Sequence, residues 1–386
     1  MSLRSLLVLL CAALLCLSVM CLSVMAAAQE PKAGKCTKCR GVERMPCSEH
    51  TKDEGCDEDK LEYCSVVADC TVCLGVGWTP CGACAPQAVK DKAAAKQAQV
   101  QARKKALAYL DEGMQRPVRK AETKHFVLVW DVDKLKVDKK MLDAHELLHL
   151  YAERLERLHT DYRALLQVDS KVFPDKSRVL VWYLPQDQER ASTLYCDQGG
   201  RNAVKLMGSR PTYSVCASKQ NYQNDERLHR SIIHNAAHLL MSNHNPPEWV
   251  GNKKGGWADE GFAHWWTDRY WGICDVYCFQ EQNTLVEFKS GKYRLAVRQM
   301  VAANDVPPIA EIFQQNVDTL TPAMLAVSFS YVDYLLFRDA PKWNQMVREL
   351  KAKVPSREAL QKVYGMSVLD FEAQWKAWVL ATYPKQ

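Results

Sequence analysis

Two histidine pairs in this chain stand one helical turn apart, His145 with His149 and His234 with His238. That spacing puts two imidazoles on one helix face, where they can share a divalent metal. Hydrolytic use of such a metal needs two more parts: a third ligand from a following helix, and a carboxylate that takes a proton from the attacking water. His145-Glu-Leu-Leu-His149 is the literal H-E-x-x-H match. No W-x-x-E or N-E segment follows it at a suitable distance, and its helix carries a full apolar stripe. It therefore reads as an amphipathic helix with solvent-side or rim histidines. His234-Asn-Ala-Ala-His238 is degenerate but has better context. Residues 231–240 form an apolar helix, and 21 residues separate His238 from Glu260 in Trp257-Ala-Asp-Glu260-Gly-Phe-Ala263. The bland alternative there is two core histidines and a surface glutamate.

A second concentration of ligands lies in residues 36–84, with nine cysteines in 49 positions. Cys36-Thr-Lys-Cys39-Arg-Gly-Val-Glu-Arg-Met-Pro-Cys47-Ser-Glu-His50 aligns without gaps to Cys70-Thr-Val-Cys73-Leu-Gly-Val-Gly-Trp-Thr-Pro-Cys81-Gly-Ala-Cys84, with seven of fifteen positions identical. The last ligand position is His50 in one copy and Cys84 in the other. Histidine can replace cysteine on tetrahedral zinc but cannot join a disulfide, so structural zinc is favoured over a disulfide framework. Either each copy holds its own zinc, or the outer knuckles (36/39 with 81/84) and inner knuckles (47/50 with 70/73) pair in a nested way. Cys56 and Cys64 are left over and available to each other.

The second copy has the form C-x-x-C-x-G-x-G, which resembles the cysteine-rich zinc domain of DnaJ-type chaperones. The first copy keeps Gly41 but has Glu43 where the second glycine would be. The resemblance covers about 50 residues, lacks a J-domain, and implies a zinc-stabilised hairpin module whose metal supplies most of its stability.

These residues need elements to hold them. Phe126-Val-Leu-Val-Trp130 reads as a strand, residues 139–167 as a long amphipathic helix, and Val179-Leu-Val-Trp-Tyr183 as a second strand. The polar stretch 190–222 reads as loops and short strands. From 226 onward the pattern is mostly helical, broken at Pro246-Pro247 and between Gly251 and Gly256. The large domain, 121–386, is thus α+β, a small sheet followed by a helical half. Residues 86–116, rich in Ala, Lys and Gln, read as a solvated helix or semi-rigid spacer. Residues 1–28 read as a secretory signal with a positive Arg4, an apolar run and a small-residue site at Ala26-Ala27-Ala28. That points to a secreted, periplasmic or cell-surface protein, off the membrane after cleavage, though the apolar run is long enough to serve as an uncleaved anchor. Basic residues exceed acidic ones by 51 − 45 = 6, spread along the chain, which makes no case for nucleic acid.

The ordered segments of 121–386 resemble the gluzincin clan of zinc metallopeptidases and its peptidase-MA-like domains. The resemblance rests on the strands and helices above, His234-x-x-x-His238, the Glu260-Gly-Phe-Ala263 context, and the ending Tyr364-Gly-Met-Ser…Phe371-Glu-Ala-Gln-Trp375. It implies a zincin-like fold with His234, His238 and Glu260 as zinc ligands, supported from behind by Asp259 or His264. Two departures weaken catalysis. Asn235 stands where the family has its general-base glutamate; an amide can hold water but cannot take its proton. The family's oxyanion tyrosine falls on Leu325; Tyr331 would substitute only on a rotated helix. Cys196 and Cys216 form the natural disulfide by position, and Cys274 and Cys278 pair with each other or with those two. Three functions stay open: a catalytically degenerate, exported zinc metallopeptidase-like protein that binds a peptide or protein; an active zinc peptidase with a displaced base such as Asp259 or Glu248; or a non-enzymatic scaffold whose cysteine-rich module does the binding.

Overall fold

The computed structural model describes residues 36–49, 58–218, 222, 224–278 and 288–386. The signal segment, His50 and Cys56 therefore lie outside the described residues. The described chain is mixed α/β. Its centre is a six-stranded mixed sheet, built from β2 (Tyr63–Cys64), β4 (Lys120–Glu122), β5 (Phe126–Trp130), β8 (Ser177–Trp182), β10 (Thr212–Cys216) and β9 (Ala203–Leu206), in that spatial order. The inner pairs β5/β8 and β8/β10 are parallel; the outer pairs are antiparallel.

Strand β5 is apolar throughout, and β8 and β10 are largely so, because helices cover both faces. On one face Leu128, Trp130, Val179, Val181, Tyr213 and Val215 pack against α3 (Ala144–Leu166) and α5 (Asp225–Asn243). On the other, Val127, Val129, Leu180 and Trp182 pack against α1 (Gln87–Ala106), α2 (Ala108–Met114) and α4 (Pro185–Tyr195). The alternation along β5 is the two-residue strand period.

Three sequence expectations change here. Residues 86–116 are helical and largely solvent-exposed as expected, but they do not hang free: Val100, Leu110 and Met114 are buried in the core beneath the sheet, and Arg103 on α1 forms a two-point ion pair with the buried Glu122 on β4. The long helix begins at Ala144, not 139, because Lys134–Val137 (β6) and Lys140–Asp143 (β7) form a hairpin. Asp143 then caps α3 in a reciprocal capping box with Glu146. Within 190–222 the chain opens in helix α4, nucleated by Pro185 at its first turn.

The cysteine-rich segment is not a separate bead. Its β2 is the edge strand of the main sheet, with Cys64 opposite Ala121. Its own ribbon joins β1 (Arg44–Pro46) to β3 (Trp78–Pro80), antiparallel.

The helical half packs α6 (Gly256–Trp271) between α5 and α9 (Pro322–Lys351), with α7 (Tyr293–Ala302), α8 (Ile309–Ile312), α10 (Ser356–Tyr364) and α11 (Val368–Thr382) around them. Residues 256–267 are all buried. Gly261 permits the tight α6/α9 crossing, since a Cβ there would meet the Ser328 carbonyl oxygen at 2.5 Å. Among the described residues no helix is long and apolar enough to cross a membrane.

Candidate metal centres

Helix α5 presents His234 and His238 on one face, and α6 runs across that face with Glu260. The two Nε2 atoms are 3.2 Å apart. Glu260 Oε2 is 3.6 Å from His234 Nε2, and Oε1 is 3.8 Å from His238 Nε2. The sequence reading missed a fourth group. Cys278 Sγ lies 3.2 Å from His234 Nε2 and 3.3 Å from His238 Nε2. A tetrahedron with ordinary zinc bond lengths has edges of about 3.3 Å (N–N) and 3.6 Å (N–S). The four donors match those edges to within a few tenths of an ångström.

The cluster carries an unmet electrostatic need. Glu260 is fully buried, and among the described residues neither carboxylate oxygen accepts a hydrogen bond. A buried carboxylate without donors is strongly unfavourable, and a cation at the shared vertex would balance it. A contrast case is Glu156, where both oxygens are satisfied by His125 through its backbone N–H (2.9 Å) and Nδ1 (2.7 Å). The His125 and His159 rings beside it stack face to face, 3.6 Å apart, rather than aiming at one point.

Support comes from behind these candidate donors. Asp259 Oδ1 stands 3.0 Å from His238 Nδ1, and Asp259 Oδ2 accepts from Trp249 Nε1 at 2.7 Å. A carboxylate on the far ring nitrogen fixes the tautomer and aims Nε2 forward. His264 lies beside Glu260, Nε2 to Oε2 3.6 Å, under the rings of Tyr293 and Tyr277. Burial, with the charge of His238 second, holds His234 well below the usual histidine range; burial does the same to His264. For His238 burial is outweighed by Asp259 and Glu260, and the net direction is upward.

Asn235 does not face an open vertex. Its Nδ2 donates to Ser231 O (2.8 Å) and its Oδ1 accepts from Lys205 Nζ (2.7 Å) on β9. The same ammonium is 3.1 Å from Cys278 Sγ, where a positive charge favours thiolate. The position expected to hold water instead holds a lysine against the fourth donor. The displaced-base candidates are occupied elsewhere: Asp259 by His238 and Trp249, and Glu248 on the wall of a separate cavity of about 760 Å³. Tyr331 is a core residue, ringed by Trp257, Phe313, Phe371 and Trp375.

The cysteine module follows the nested arrangement. Cys36, Cys39, Cys81 and Cys84 form one group; Cys47, Cys70 and Cys73 form another. Sulfur separations are 3.8 Å (36–81), 3.2 Å (39–84) and 3.7 Å (47–70). Two of them match the S–S edge of about 3.8 Å around a common metal, the 39–84 separation is shorter, and all three are far from a disulfide bond of about 2.05 Å. A backbone N–H from Cys39 pulls the Cys36 thiol down to about 6. Glu43 adopts φ 62° where the second copy places Gly77 at φ 83°, so the turn keeps its shape without its glycine.

No disulfide joins any two of the described cysteines. Cys196 faces the Val204 and Thr212 carbonyls, whereas Cys216 faces Tyr183 O, so that expected bridge is not made. Cys274 points to His264 O while Cys278 joins the histidines, which ends the second. The reason is topological: helix α6 returns Cys278, but not Cys274, to the open corner of the α5 pair.

These groups could hold metal ions; the donors, not an ion, are what the structure contains. No protein-family model matches the chain, and no curated protein sequence matches it.

Proposed function

We propose that residues 121–386 form a zincin of the gluzincin, peptidase-MA-like kind, in an exported protein that keeps the zinc and has lost the hydrolysis. The carrying observation is Cys278 Sγ at 3.2 and 3.3 Å from the two histidine Nε2 atoms. With His234, His238, Glu260 and Cys278 as donors, a tetrahedral ion has no open position, which is the pattern of structural rather than catalytic zinc. The mixed imidazole, carboxylate and thiolate set favours zinc over harder divalent ions. Zinc there would serve as a cross-link between α5, α6 and the 272–278 segment. Asn235 and Lys205 hold Cys278 in place, and neither is a base.

The proposed ligand is a peptide or protein. The cavity of about 760 Å³ bounded by Trp249, Phe313, Lys351 and Arg357 offers the concave surface. Trp249 links its wall to Asp259 and so to His238. In the cysteine-rich segment, the nested sulfur groups support a zinc-knuckle module of the DnaJ kind with a structural role.

The test combines metal content with hydrolysis. His234→Ala should lose one zinc per chain. The wild type and Asn235→Glu should both be inert towards a peptide library, because Cys278 still closes the site. Only Asn235→Glu with Cys278→Ser should gain activity, by about two to four powers of ten over Cys278→Ser alone. Strong hydrolysis by the wild type refutes the reading.

A further inference from the structure

The literal H-E-L-L-H segment fails as a peptidase site, yet its histidines are not at a solvent rim. His145 is 5 % exposed and His149 8 %, and they face Cys64, which is 2 % exposed. Their Nε2 atoms are 3.2 Å apart, and Cys64 Sγ lies with both inside a span of 4.8 Å. The rings repeat the geometry of the other pair: centroids 4.8 Å apart at 74° in both His145/His149 and His234/His238. Nothing in helix geometry alone forces two imidazoles to converge through Nε2. A shared metal would draw them together in this way.

We propose that Cys64, His145 and His149 hold a further divalent metal ion of the zinc class, and that this ion clamps the cysteine-rich segment to helix α3. The donor set supports it: one thiol and two imidazoles suit a borderline-soft cation, with the thiol giving up its proton on binding. The position supports it too. Cys64 ends β2, a strand of only two residues paired to Ala121, and α3 covers the same sheet face. So short a strand holds an edge weakly. A metal bond from its last residue to α3 would fix the module on the sheet and set its register.

The site is structural, not hydrolytic. Glu146, the glutamate of the motif, is turned back to the helix start, where its Oε2 accepts from Asp143 N at 2.9 Å and its Oε1 from Lys140 at 2.8 Å. It therefore has no part in the cluster. The inference is independent of the zincin reading, since it uses a different helix and different donors.

The experiment is metal analysis of the purified full chain, wild type beside Cys64→Ser, His149→Ala and His234→Ala. With the stacked His125/Glu156/His159 group set aside, the other four donor groups among the described residues predict about four ions per chain in the wild type. Each single variant should fall by one, and His149→Ala with His234→Ala should fall by two. With cobalt substituted, Cys64→Ser should lose part of the thiolate charge-transfer absorption. Unchanged metal content in folded Cys64→Ser and His149→Ala overturns the proposal. Should those variants fail to fold, anomalous diffraction at the zinc edge from the unaltered chain decides: a peak between the two imidazoles supports the site, and its absence overturns it.

Discussion

Replacing Glu260 with glutamine should change stability in opposite directions with and without metal. In the metal-free protein Glu260 is a buried carboxylate with no hydrogen-bond donor, 3.6 Å or more from the nearest imidazole nitrogens. An uncompensated buried charge costs about 3–5 kcal/mol. His238, whose protonated form is favoured by Asp259 and Glu260, offsets part of that. The glutamine removes the charge but leaves a buried amide short of partners, at about 1–3 kcal/mol. The net expectation is that metal-free Glu260→Gln is about 1–2 kcal/mol more stable than metal-free wild type, or roughly 1–3 °C in melting temperature at this size. The loaded protein should behave in the reverse way. Losing the only anionic oxygen ligand should weaken binding by at least about 100-fold, which is about 2.7 kcal/mol of lost stabilisation under excess metal. The assay is thermal unfolding of both proteins after chelation and after zinc saturation. Because the cysteine module is stripped and refilled equally in both, the difference isolates Glu260. Equal destabilisation in both states would refute the argument and make Glu260 a packing residue.

Asp259→Asn should keep the zinc stoichiometry at saturating metal but lower affinity by about 10–100-fold, read by competition with a chelator, because the amide no longer fixes the His238 tautomer. Lys351 predicts a pH dependence. Burial lowers it from its ordinary 10.5 to about 7, with its ammonium against the carbonyls of Ser242, His244 and Pro246. Between those values the unfolded chain binds more protons than the folded one, so stability rises with pH across that window. The slope is at most about 1.4 kcal/mol per pH unit. Lys351→Met should flatten that limb in denaturant titrations; an unchanged slope would exclude Lys351 as its source.

Local pattern carried a good part of this protein. The strand at 126–130, the i,i+4 histidine faces, the Glu260 segment and the gapless cysteine copies are all written in short windows, where periodicity and spacing suffice. Only tertiary structure decided what those groups meet. Sequence gave no signal that Cys278 would return to the α5 histidines, because the turn after α6 sets that contact and many turns fit its residues. Cys64 meets His145 and His149 because β2 adds to the sheet edge beside α3, a pairing between segments some 80 residues apart. The same long-range assembly turned the alanine-rich stretch into a packed layer and buried the literal H-E-x-x-H histidines against Cys64. Residue type and spacing determine which side chains can do chemistry on one element; which elements face each other depends on how the apolar faces of the whole chain are buried together.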